Sequence, residues 1–162
     1  MPMRMMIVID VMVDEEIEGE FTPPETIAAA VMAACTVTDP DTAEPDVCVR
    51  FAPDLEIREL NSQWRGKDAV TDVLSFPMQE PDAIDFEESL GDIALAIPFV
   101  LQEAERLALT PEAHIQHLVV HATLHLLGYD HIDDDEAVIM QQLERQAMQQ
   151  LGLHDPYPEL QA

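Results

Sequence analysis

Residues 5–13, MMIVIDVMV, alternate loosely and predict a first β-strand. Pro23 and Pro24 then introduce a helix over 25–36, where proline suits the first turn and Glu25 suits the positive helix end. In 46–52, DVCVRFA, apolar residues recur at every second position, so Val47, Val49 and Phe51 share one face of a second strand. Residues 55–65 read as a helix, and Gly66 closes it as a left-handed cap. VLSFP (73–77) and GDIALAI (91–97) give two more strands, joined by the acidic loop 78–90. Pro98 opens a helix through Ala108. Thr110 caps and Pro111 starts another that ends at Gly128. Asp134 or Asp135 is the expected cap of a last helix reaching Gln150, ahead of Gly152 and a proline-containing tail. This order predicts an α+β fold with about four strands in a mixed sheet and about five helices.

A chain of 162 residues fits one domain, taken here as 1–162, and its 48% hydrophobic content supplies a core. No apolar run approaches the ~20 residues that span a bilayer. The N-terminal apolar run is short, contains Asp10 and lacks a small-residue cleavage site, so no signal peptide is expected. Cys35 and Cys48, without a CxxC pairing, read as small buried hydrophobes in a reducing compartment. A cytoplasmic protein is the expectation. Charge changes the picture more: 33 acidic residues against 7 basic give −26. Most of such a surface repels nucleic acid, because phosphate binding runs on Lys and Arg. The acid gathers in 14–20, 39–46, 80–89 and 133–136, and among the cations only Arg65 and Lys67 lie close together.

The chemistry gathers in HLVVHATLHLLGYDH (117–131). His121 and His125 are four apart on a predicted helix, so both imidazoles leave one face and reach one ion. Gly128 lets the chain turn, and His131 follows to complete a zincin-like H-x3-H-x5-H set. His117 and His125 stand about 12 Å apart along a helix rising 1.5 Å per residue, so the helix alone does not supply three ligands. Three imidazoles favour zinc or a nickel-like metal over magnesium and leave a fourth position open, as catalytic sites do. Bound water there falls to a pKa of about 7. Zinc peptidases need Glu after the first His, as HExxH, whereas here that position is Ala122. A metallopeptidase is therefore the second reading.

Two motifs point elsewhere. HATLHLLGYDH (121–131) and LNSQWRGKDAVTDVLSFP (60–77), with GDIALAI (91–97) after them, resemble the YbeY-type endoribonuclease family. The match covers about residues 46–150, with Ala122 in place of the family's usual Gly and Trp64 in place of Tyr. The resemblance implies a zinc-dependent, single-strand-specific endoribonuclease with one zinc per chain. It also implies a role in 16S rRNA 3′-end maturation and ribosome quality control, with small-subunit proteins as partners. His121, His125 and His131 are then the metal ligands, with His121 and Arg65 in the catalytic centre and Arg65 and Lys67 on the substrate.

Arg65 suits that role physically, because a phosphodiester transition state gathers negative charge and a planar guanidinium grips two phosphate oxygens. Its charge pattern alone equally fits a cation at a helix C-terminus. His114 and His117 are candidate general bases or surface groups. Asp72 and Ser75 are read as structural, and Trp64 as core, with base stacking as its alternative. A third reading is a non-catalytic assembly factor whose zinc is structural, with Asp130 or His117 closing the shell.

Overall fold

The computed structural model describes residues 8–13, 24–40, 45–81, 83–86, 88–130 and 133–158. Its elements in chain order are β1 (Val8–Val13), α1 (Pro24–Thr38), β2 (Asp46–Ala52), α2 (Asp54–Arg65), β3 (Val73–Pro77), β4 (Ser89–Ala96), α3 (Ile97–Arg106), α4 (Pro111–Leu126) and α5 (Asp134–Gln150). The strands lie in the order β1-β2-β4-β3, with β1, β2 and β4 parallel and β3 antiparallel to β4. The sheet is mixed, and among the described residues five helices accompany it. Residues 5–7 of the first expected strand, and Pro23, lie outside the described residues.

The alternation in β2 does what the pattern requires. Val47, Val49 and Phe51 are buried and join Ile93 and Leu95 of β4 against α1, α4 and α5. The opposite face is thinner, built from Leu74, Ala94 and Ala96 with Ile57 of α2. The sheet is thus covered on both faces, which parallel strands require.

Several boundaries differ from the sequence reading, and three of them have a visible cause. Ile97 is fully buried and starts α3 rather than ending β4. That helix stops at Arg106, because Ala108 takes φ 59°, outside the helical range. The cap of α5 is Asp133, not Asp134 or Asp135. Asp133 is extended, and its side chain accepts the Glu136 N–H at 2.8 Å. Neither cysteine is in a disulfide. Cys35 is fully buried, and burial pushes its thiol up to about 12, while Cys48 is half-buried.

Candidate functional site

Helix α4 runs through the interior because its apolar residues go nearly all round. From His114 onward its only residues that escape full burial are His117, His121 and His125, spaced one turn apart. Nε2 of His121 and Nε2 of His125 stand 3.1 Å apart, with ring centroids at 4.6 Å and planes at 81°.

The helix then ends as the sequence anticipates. Tyr129 N–H donates to the Leu124 carbonyl and Gly128 N–H to the His125 carbonyl, each at 3.0 Å, with Gly128 at φ 99°. A Cβ at position 128 would also collide with Pro81, so glycine is required twice over. His131, the third expected ligand, lies outside the described residues. Among the described residues no group of three or more His, Cys, Asp or Glu is gathered as a metal site.

His121 and His125 open onto a cleft of about 950 Å³ whose far corner is the end of α2 and the turn after it. Arg65 and Lys67 both line it. Asn61, 4% exposed, holds that corner: its Nδ2 donates to the Ala69 carbonyl at 2.9 Å, and its own carbonyl accepts the Lys67 N–H at 3.2 Å. The other wall is the loop after β3, where the Gln79 side chain donates to the carbonyls of Asp85 and Ser89 and accepts the Asp85 N–H.

The cations among the described residues fall into two groups. Arg50 pairs with Glu56, Arg58 with Asp68, Arg106 with Glu103 and Arg145 with Asp155. Among the described residues, the side chains of Arg65 and Lys67 have no such partner, and both are exposed. They share the cleft with two acidic residues, Asp72 and Asp130.

Several other expectations resolve here. Asp72 accepts the N–H of Val73 at 2.8 Å and so starts β3, while Ser75 lines the cleft. Trp64 is 64% exposed, edge-on to Phe76 at 6.5 Å, which corrects its expected place in the core. It ends an exposed turn of α2, whose buried face is met by Ile57 and Asn61 instead. His114 and His117 do not line the cleft. His114 is 4% exposed and bound through Nε2 to Glu103 at 2.6 Å, and His117 turns its Nε2 to Glu144 at 2.8 Å. Neither is placed as a general base for a substrate in the cleft. The glutamate position of HExxH is Ala122, a buried residue with no acid to offer.

Glu144 of α5 escaped the sequence reading. It is 1% exposed, and its carboxylate also meets His121 Nδ1 at 3.2 Å and accepts the Tyr157 hydroxyl at 2.9 and 3.0 Å. Burial pushes its pKa up, but the hydrogen bonds it receives from His117 and His121 outweigh that and hold it at about 2. Raised by burial and by the adjoining carboxylate, the Tyr157 hydroxyl keeps its proton. The signal available in the sequence was a glutamate in register with Met140, Ala147 and Met148 on a core-facing stripe.

The family model described as endoribonuclease YbeY matches residues 14–152. A Rhodopseudomonas palustris protein (strain BisA53) named Endoribonuclease YbeY is 40% identical over 145 residues, covering 88% of this chain and 84% of that protein. One of the same name from Pseudomonas fluorescens is 48% identical over 118 residues, or 73% and 78% of the two chains. The solution structure of a Thermotoga maritima protein aligns with a TM-score of 0.55 at 25% identity, covering 91% of this chain and 97% of that one.

Proposed function

The chain belongs to the endoribonuclease YbeY family, and from that premise we propose that it cleaves single-stranded RNA with one zinc ion held by His121, His125 and His131. Family membership makes it an enzyme, a hydrolase of RNA phosphodiester bonds. One juxtaposition supports the finer reading: the converging imidazoles and the two unneutralised cations share a single cleft.

The imidazole pair fits an ion. Two nitrogens on one tetrahedral zinc, each at about 2.1 Å, stand about 3.4 Å apart, against 3.1 Å here. What zinc supplies in such a site is Lewis-acid polarisation and a water acidified toward neutral pKa. The chain's own residues do the rest. Arg65 grips two oxygens of the scissile phosphate and stabilises the charge that grows on it. Lys67 offers a point charge to a neighbouring phosphate. Trp64, exposed beside Arg65, offers a flat face to an unpaired base.

In this reading residues 1–162 work as one domain in the cytoplasm. The substrate is the 3′ end of 16S ribosomal RNA, and the context is small-subunit maturation and quality control. The charge of −26 supports a guided encounter. Free RNA is repelled at long range and attracted only within the cleft, so proteins of the small subunit present the strand.

The test is a metal-stripped preparation assayed on single-stranded RNA, duplex RNA and casein, before and after adding zinc. Zinc-restored cleavage of the single strand alone is expected. Casein hydrolysis, or RNA cleavage indifferent to chelator, would overturn the reading.

A further inference from the structure

We propose that Glu144 is a positioning residue that fixes the tautomer and the orientation of His121, and so presents its Nε2 to the metal. The inference rests on the metal reading of His121 and His125 and concerns the other side of the same ring.

His121 forms a partition. One side of it lines the large cleft, and the other lines a cavity of about 270 Å³ shared with Met140, Gln141, Glu144 and Tyr157. A neutral imidazole carries its proton on either nitrogen. The hydrogen bond between His121 Nδ1 and Glu144, 1% exposed, settles that choice and holds the ring from its far side.

The polarity of that bond follows from its surroundings. Oε1 of Glu144 is approached by His117 Nε2 at 2.8 Å, by His121 Nδ1 at 3.2 Å and by the Tyr157 hydroxyl at 2.9 Å, which also reaches Oε2 at 3.0 Å. Three groups converge on the one oxygen Oε1, and the Tyr157 hydroxyl spans both carboxylate oxygens, so at His121 Nδ1 the carboxylate oxygen is the acceptor. His121 therefore carries its hydrogen on Nδ1. Its Nε2 is left as a bare lone pair, and that is the atom 3.1 Å from His125 Nε2. Carboxylate–histidine–metal arrays work this way, and losing the outer partner typically weakens metal binding about 10–100-fold.

Tyr157 separates this role from simple stapling. It lies beyond the end of α5 and ties the C-terminal segment to the same carboxylate without touching His121 in the hydrogen-bond network. Removing its hydroxyl loosens the segment and leaves the Glu144–His121 bond in place.

The experiment compares the full chain, Glu144→Gln and Tyr157→Phe. Side-chain nitrogen NMR of the metal-free proteins reads the His121 tautomer, and competition with a chromogenic chelator reads zinc affinity. The expected wild-type result is the Nδ1–H form. Glu144→Gln should show the Nε2–H form appearing and zinc affinity falling about 10–100-fold. Tyr157→Phe should lower the melting temperature while holding the tautomer and keeping zinc affinity within about twofold of wild type. A wild-type His121 protonated on Nε2 overturns the proposal with no variant needed, even where Glu144→Gln fails to fold. An equal loss of zinc affinity in both variants also overturns it, since the effect would then be general loosening. A wild-type chain that takes up no zinc defeats the metal reading, whereas the tautomer still decides the role of Glu144.

Discussion

Arg65 shows how much a single side chain depends on what surrounds it. By sequence it is one of seven cations, at a helix end where a macrodipole explains it equally well. In the fold it is exposed, unpaired among the described residues and facing the cleft that His121 and His125 also line. Arg65→Ala should therefore lower the rate of RNA cleavage about 10²–10³-fold, the usual effect of removing one preorganised transition-state donor, while zinc content stays unchanged by metal analysis. His125→Ala should lose bound zinc and cleavage together, and retention of one zinc per chain would contradict the ligand set. The histidine pair was legible in the sequence because four residues is one helical turn. Glu144 was not, since it meets His121 from another helix at a sequence distance that no local rule constrains.

At the scale of elements, the turn that ends α4 carries the site. Thr110 caps one end, its hydroxyl accepting the Ala113 N–H at 3.1 Å, and Gly128 closes the other. Both were legible, because caps are short-range chemistry. The approach of Pro81 to Gly128 was not, because the loop after β3 reaches it only in the folded chain. Gly128→Ala combines a positive φ with that collision. It should cost at least about 1–3 kcal/mol, read as a lower denaturation midpoint, and should weaken zinc binding by displacing the chain that follows. The boundaries that shifted did so for related reasons. Ile97 joins α3 because the core buries it there, and Asp133 rather than its neighbours caps α5 because its own backbone is extended.

Across the whole molecule, charge and topology pull in different directions. The sheet gathers its apolar faces under helices on both sides, while a charge of −26 spreads repulsion over the surface. Salt shortens the reach of that repulsion, from a Debye length of about 10 Å at 0.1 M to about 3 Å at 1 M. The melting temperature should therefore rise between 10 mM and 0.5 M sodium chloride in scanning calorimetry. A fall would mean that the paired arginines outweigh the net charge. RNA binding should respond oppositely once the cleft is engaged, because the same salt screens Arg65 and Lys67.

What the sequence determined by itself is what near neighbours decide. It set the alternation of β2, the caps of α4 and the facing pair His121 and His125, since strand and helix periods act over a few residues. Only the tertiary structure decided which cations stay unneutralised, that Trp64 stands exposed, that His114 and His117 turn away from the cleft, and that Glu144 closes on the back of His121. Those outcomes depend on segments far apart in the chain, brought together by burial of a shared core, and no local spacing encodes them.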